Sequence, residues 1–253
     1  RVFILAKKLK INIIHVRSYI PVLISFPAKL FLAPKLLFDI RGFWIEEKVD
    51  GGNFSSNGVK YFFLKKLEKI FFRFSDHIVT LTDVSVPIIK SFNYWKGINP
   101  PPISVIRTCT NLEKFKPSDN KVNGEPFTLG YLGSFGSWYL LEETLLLFNE
   151  ISKILPNSKM LIININEHKE IRLAAKRILS DPKKLLIKKA SYKEVPILIK
   201  NITASTSLIK PCYSKLSSSP TKLGEYLSCG IPCVANIGVG DLKKIITYEN
   251  TGI

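Results

Sequence analysis

The chain has 253 residues, of which 46% are hydrophobic and 23% charged, proportions that exclude disordered and collagen-like classes and allow two ordinary α/β domains or one large one. Lys and Arg total 37 against 20 Asp and Glu, a net charge of +17 that attracts polyanions: nucleic acid, anionic headgroups or phosphorylated substrates. A plain lysine-rich bias spread along the chain explains the same number. The four cysteines form no C-x-x-C pair, and with three histidines zinc ligation is not expected. Cys229 and Cys233 read as small buried hydrophobes of a reducing compartment.

Short β-rich runs alternate with helical stretches. The expected strands are 11–16, 36–40, 77–82, 103–106, 128–132, 159–165, 185–188, 204–209 and 232–236. Helices are expected over 58–74, 84–92, 140–154, 167–179 and 221–229. Alternation of this kind implies parallel sheets covered on both faces, an α/β class. The opening RVFILAKKLK has no signal-peptide cleavage site. The apolar stretch 19–38 is broken by prolines and lysines, short of the roughly 18 uncharged apolar residues a membrane span needs. A cytoplasmic protein is expected. The chain begins without Met inside a helical pattern and stops just after another, so a piece of a longer protein is expected.

The stretch 116–126, KPSDNKVNGEP, carries no apolar periodicity. It suggests a first domain over 1–117, a linker over 118–126 and a second domain over 127–253. Open parallel sheets bind ligands beyond the carboxyl ends of their strands, so residues just after each strand are the candidates.

Within the first domain, 36–40 leads into Asp39 and Arg41, followed by Glu46 and Glu47. A carboxylate there could take a proton from a hydroxyl, and Arg41 could bind phosphate. Alternatively, Asp39 and Arg41 pair with each other and hold the loop. His15 ends an earlier strand and is expected to be packed and hydrogen-bonded. Over 60–73, Phe63, Leu64, Leu67, Ile70, Phe71 and Phe74 form an apolar stripe, with Lys65, Lys66, Lys69 and Arg73 around it. Such a helix can cover a sheet, and its basic face can touch an anionic membrane surface.

In the second domain, strand 128–132 runs into GYLGSFGSW, with Gly130, Gly133 and Gly136 spaced by three and a helix expected from near Trp138. Backbone N–H groups of such a turn can approach an anion, with Ser134 and Ser137 adding hydroxyls; a bare tight turn has the same spacing. Lys210 follows strand 204–209 as a further phosphate candidate. The longest constellation is SSSPTKLGEYLSCGIPCVANIGVGD, 217–241. Pro220 suits a first helical turn, and Lys222 and Glu225 share a face near the helix start. Lys222 can neutralise a diphosphate, and Glu225 can accept bonds from vicinal ribose hydroxyls. The bland alternative is a solvated ion pair. Gly238 and Gly240 form a second glycine turn.

This segment resembles the donor-binding segment of glycosyltransferase family 4, a GT-B fold group. FDIRGFW (38–44) with Glu46 and Glu47, DHIV (76–79) and IRTCTNLEKF (106–115) resemble, in order and spacing, the acceptor-domain and pre-linker segments of bacterial surface-polysaccharide members. The resemblance implies two Rossmann-like domains facing across a cleft and a nucleotide-sugar donor with Glu225 on the ribose. Taken with the positions of the residues themselves, donor contacts are expected at Gly133, Ser134, Gly136, Lys210, Ser217, Pro220, Thr221, Lys222, Gly238 and Gly240. The resemblance also implies retention of configuration, no metal and no cofactor beyond the donor. The acceptor would be a saccharide or a polyprenyl-linked saccharide, at the inner face of the cell membrane. The sequence contains no D-x-D motif. Two departures stand out. Ser217 occupies the place of a second Glu, with seven residues between it and Glu225, and the turn 133–141 lacks the usual Arg and Lys. A GT-B epimerase or phosphorylase, an inactive scaffold, or a basic nucleic-acid-binding protein are the competing expectations. Nucleic acid is disfavoured because the aromatics sit within apolar stripes.

Overall fold

The computed structural model describes residues 1–117, 125–248 and 250–253. The expected linker 118–126 thus lies mostly outside the described residues. Two compact units are present. The first comprises 1–107 with two short returns of the chain, 211–219 and 238–241; the second comprises 108–210, 220–237 and 242–253.

The first unit holds α1 (Val2–Lys8), β1 (Ile13–Arg17), α2 (Tyr19–Leu32), β2 (Lys35–Asp39), α3 (Trp44–Asp50), α4 (Val59–Phe74), β3 (His77–Thr80), α5 (Ser85–Lys90) and β4 (Ile103–Val105). Its four strands pair in parallel in the order β1-β2-β3-β4. The second unit holds β5 (Thr128–Leu132), α6 (Leu141–Ile154), β6 (Lys159–Ile163), α7 (His168–Ile178), β7 (Leu185–Lys188), α8 (Val195–Leu198), β8 (Ala204–Ser207), α9 (Thr221–Ser228), β9 (Cys233–Ala235) and α10 (Leu242–Tyr248). Its sheet, order β7-β6-β5-β8-β9, is also wholly parallel. The order reverses between β5 and β8, which makes the carboxyl ends of those two strands the natural ligand position of this unit.

Each strand is found close to its expected place because short β-branched or apolar runs between turn signals have few alternatives. The corrections concern helices. The stretch 19–32 is a continuous helix despite its prolines. Pro21 falls in the first turn, where its missing N–H costs nothing, and only Pro27 sits inside. Glu46 and Glu47 lie in the first turn of α3 instead of a loop. After the Gly136 turn, the helix begins at Leu141, later than Trp138.

The stripe expected on α4 is rotated. Phe63 is 60% exposed, while Phe72 and Glu68 are buried. Glu68 accepts from Tyr19 Oη at 2.8 Å, from Tyr94 Oη and from Lys65 Nζ. Lys65 also bridges to Glu46 at 3.1 Å, so it belongs to the inward face. Burial and the Glu68 charge hold the Tyr19 and Tyr94 hydroxyls well above the usual phenol range. The Glu68 and Tyr94 contacts outweigh desolvation at Lys65 and hold its ammonium protonated.

Candidate functional site

In the second unit, β5 ends in a turn where Gly133 takes φ +116, open to glycine but strained for other residues. Gly130 is glycine for packing: a Cβ there would lie 2.2 Å from Ile202 Cδ1. The turn's Phe135 N–H donates to Glu167 Oε2 at 2.9 Å, and Asn164 Nδ2 donates to the same oxygen at 2.6 Å. Asn164 also donates to the Gly133 carbonyl at 3.0 Å. An internal carboxylate therefore already occupies one N–H expected to meet an anion, while Ser134 and Gly136 lie exposed on the turn.

Helix α9 sits at the other side of β5 because Tyr226, fully buried, accepts the Leu132 N–H on its hydroxyl at 2.6 Å. This registers Lys222 against the turn. Lys222 is 8% exposed, and its Nζ donates to the Tyr131 hydroxyl at 2.9 Å. It lies 4.1 Å from the Tyr131 ring centre and 4.0 Å from that of Tyr139, and 3.5 Å from where a Cβ on Gly133 would be. Among the described residues it forms no ion pair with a carboxylate. Burial pushes its ammonium down to about 7 from the ordinary 10.5. Glu225, equally buried, is raised above the usual carboxylate range, burial outweighing the nearby Lys222. The solvated Lys222–Glu225 ion pair weighed from the sequence is thus not formed. Glu225 instead lines a cavity of about 300 Å³ with Gly133, Ser134, Asn164, Glu167 and Tyr192. Pro220 caps α9 and Thr221 is exposed at its first position; Lys210 is exposed after β8.

The remaining candidates fall in the first unit. Ser217 is fully buried; its Oγ accepts the Phe43 N–H at 2.9 Å and donates to the Ser214 carbonyl at 2.9 Å. Its hydroxyl is committed to holding the Gly42–Phe43 turn and has no surface for a sugar in this structure. Gly240 N donates to the Lys215 carbonyl, and a Cβ there would lie 2.1 Å from the Ser218 carbonyl oxygen. Gly238, with φ +86, lies against Pro211. Close backbone approach accounts for Gly240, and a positive φ with the Pro211 ring against it accounts for Gly238.

Asp39 is the last residue of β2. Its Oδ2 lies 3.9 Å from both His15 Nε2 and Arg17 Nε, and its Oδ1 is buried without a hydrogen-bond partner. Burial raises its carboxyl above the usual range, with Arg17 and His15 opposing. Arg41 is exposed with φ +58 and does not pair with Asp39, contrary to the loop-holding alternative. His15 has a side chain 57% exposed, not packed as expected. Glu46 and Glu47 serve Tyr61, Lys65 and Lys215. Among the described residues no three His, Cys, Asp or Glu side chains are grouped to hold a metal ion.

Tyr131, Tyr139, Tyr226, Asn164 and Glu167 were not singled out from the sequence. Only the position of Tyr131 in a strand beside a glycine turn could have drawn attention to one of them.

No protein-family model matches the sequence, and no curated protein does. Solved structures do. A sucrose-phosphate synthase from Thermosynechococcus elongatus superposes with TM-score 0.68 at 14% identity, over 98% of this chain and 61% of that one. HepE of Anabaena, solved with UDP-glucose, gives 0.65 at 14% identity, over 92% of this chain and 61% of that one. A glycosyltransferase from Rickettsia africae gives 0.67 at 17% identity, over 100% of this chain and 64% of that one. The chain thus spans under two thirds of the length of each. At these identities the likeness establishes the fold: the two parallel-sheet units are the Rossmann-like halves of a GT-B architecture.

Proposed function

We propose that this chain carries out glycosyl transfer from a nucleotide-sugar donor to a saccharide or polyprenyl-linked saccharide acceptor in cell-surface polysaccharide synthesis, as a metal-independent, retaining enzyme of the family 4 kind. The domains would be 1–117 and 127–253, joined by 118–126, and the enzyme would work at the inner face of the cell membrane. The observation that carries the proposal is Lys222: a buried ammonium with no anionic partner among the described residues, beside the Gly133 turn and a cavity lined by Glu225. A diphosphate supplies the missing charge, and Glu225 accepts the ribose hydroxyls. Stabilising the departing diphosphate is the main electrostatic task in such a transfer. HepE, solved with UDP-glucose, supports a nucleotide sugar as the ligand class.

Gly133, Ser134, Gly136, Lys210, Pro220 and Thr221 would complete the donor contacts, with Asp39 and Arg41 as acceptor-side groups. Asp39, with one buried oxygen unpartnered, would receive the acceptor hydroxyl's proton.

Calorimetric titration of the chain with UDP, GDP, ADP and CMP, beside Glu225→Ala and Lys222→Ala, tests the donor site. One nucleotide should bind with micromolar affinity, about −8 kcal/mol, and Glu225→Ala should weaken it about tenfold or more. No binding by any nucleotide, or variants equal to the parent, would remove the proposal's support.

A further inference from the structure

We propose that the amino-terminal end of the second unit's sheet holds a binding site for a small phosphate monoester, separate from the donor cavity. A cavity of about 240 Å³ lies between the turn that leads into β6 and the turn that leads into β7. Lys159, Lys183 and Lys184 line it, and no carboxylate does. Among the described residues none of these three lysines forms an ion pair.

The local sequence brings the lysines together. Asp181 caps a short 3-10 turn, Pro182–Lys184, by accepting the Lys183 N–H at 3.0 Å, and Pro182 fixes the backbone at the turn's start. Two consecutive lysines are thereby held at the entry to β7. On the other side, the Ser158 N–H donates to the Leu155 carbonyl at 2.9 Å and closes the turn that follows α6. The Lys159 N–H donates to the Phe127 carbonyl at 2.8 Å, and β6 begins. Met160 pairs with Leu185 in the parallel register, so both turns sit at the same end of the sheet.

Ser158 is a second, independent observation. It lines the cavity and is 2% exposed, yet its Oγ has no hydrogen-bond partner among the described residues. Leaving a buried hydroxyl unpaired costs about 1–3 kcal/mol, and a phosphate oxygen can accept from it. Phosphate bound in ester form carries about −1.5 to −2 charges near pH 7. Ammonium groups, compact charges with three rotatable donors each, suit it. The cavity exceeds what a bare phosphate fills, with Asn157 and Leu186 beside the lysines for an organic part. It falls below the roughly 300–1,000 Å³ of drug-sized ligand sites, which limits that part to about one sugar ring.

Lysines on an edge strand can serve only to deter pairing with another chain. That does not account for this cluster, because Lys159 begins β6, an interior strand, and Lys183 and Lys184 precede β7. The site is also distinct from the donor cavity. Asn164 and Tyr192 line that cavity after the carboxyl ends of β6 and β7, and the five residues of β6 span roughly 13 Å.

The test is titration of the isotope-labelled chain with glucose 6-phosphate, followed through backbone amide shifts. Shifts should concentrate at 157–159 and 183–186 with submillimolar affinity, a result independent of how any variant folds. Inorganic phosphate should bind several-fold more weakly. Lys159→Gln with Lys183→Gln and Lys184→Gln should weaken glucose 6-phosphate at least about tenfold. Lys66→Gln with Lys90→Gln and Lys96→Gln removes the same charge from exposed positions of the first unit, and affinity should stay within about twofold. Equal weakening by the two triple variants would reduce the effect to net-charge attraction and overturn the proposal. So would shifts centred on 133–137 and 163–167, inorganic phosphate binding as tightly as the ester, or no shift at millimolar ester. Nucleotide titration reports on the carboxyl ends of the same strands, so failure there and failure here are separately visible.

Discussion

Lys222 Nζ lies 2.9 Å from the Tyr131 hydroxyl and 4.1 Å from the centre of the same ring, so one tyrosine offers the buried ammonium both an oxygen and a π face. Tyr139 adds a second face at 4.0 Å. Ring faces and a neutral hydroxyl compensate only part of the lost hydration, which is why burial leaves the group near pH 7. Its folded value lies below the ordinary one. Between about 7 and 10.5 the unfolded chain therefore holds a proton that the folded chain lacks.

A pH dependence of stability follows. Stability should rise as pH increases from about 7 to 10.5, by on the order of a few kcal/mol, and this component should be flat outside that window. Lys222→Met, similar in volume and uncharged, should abolish the slope without loss of stability near neutrality. Chemical denaturation across that pH range checks it. An unchanged slope in the methionine variant would assign it elsewhere.

The same group couples ligand binding to protons. A bound diphosphate restores the charged form of Lys222, so binding should take up a proton above pH 7 and affinity should fall by up to about tenfold per pH unit there. Calorimetry in buffers of different ionisation enthalpy reads the uptake directly. Proton uptake equal in parent and Lys222→Met would separate Lys222 from the diphosphate.

Asp39→Asn examines the acceptor side. Removing the basic oxygen should lower kcat by about 10²- to 10⁴-fold with nucleotide affinity unchanged, since Asp39 and the donor cavity belong to different units. A variant with full kcat would leave proton transfer to another group.

The strands were legible because runs such as 159–163 and 128–132 are apolar on both faces and too short for helices. Helix α2 was hidden by Pro21 and Pro27, which read as breaks although one sits harmlessly in the first turn. The inward face of α4 was misjudged because Phe62, Phe63, Phe71, Phe72 and Phe74 surround the axis, so periodicity cannot choose a side. The decisive inward residue is charged, and its partners Tyr19 and Tyr94 are 49 and 26 positions away. Lys222 and Glu225 stood out from local spacing on one helix face. The tyrosines that determine the state of Lys222 did not, because Tyr131 is 91 positions distant. The role of Ser217 was missed for the same reason: its hydroxyl partner Phe43 is 174 positions away.

The Glu68 cluster makes a stability prediction. Glu68→Ala leaves the Tyr19 and Tyr94 hydroxyls without their acceptor and Lys65 with Glu46 as its remaining carboxylate. The expected loss is about 3–5 kcal/mol, the usual cost of breaking a buried ion pair from one side. Glu68→Leu combined with Lys65→Met should recover much of it, because removing both charges also removes their desolvation penalty. Thermal and denaturant unfolding of the single and double variants decide the matter, and an additive double variant would refute the coupling.

Two glycines of the candidate turns should respond in opposite ways to a methyl group. Gly240 has φ +42, and its Cβ would lie 2.1 Å from the Ser218 carbonyl oxygen and 2.7 Å from Thr82 Cγ2. One of those atoms is backbone and cannot rotate away, so the local chain must shift. Gly240→Ala should cost about 3 kcal/mol or more from overlap and strained φ together. At Gly136 a Cβ meets nothing within 4 Å, and Gly136→Ala should stay within about 0.5 kcal/mol of the parent. The pair also separates packing from ligand contact. If Gly136 borders a bound nucleotide sugar, its alanine variant should lose donor affinity at unchanged stability. If the exposed turn only connects β5 to α6, both quantities should match the parent.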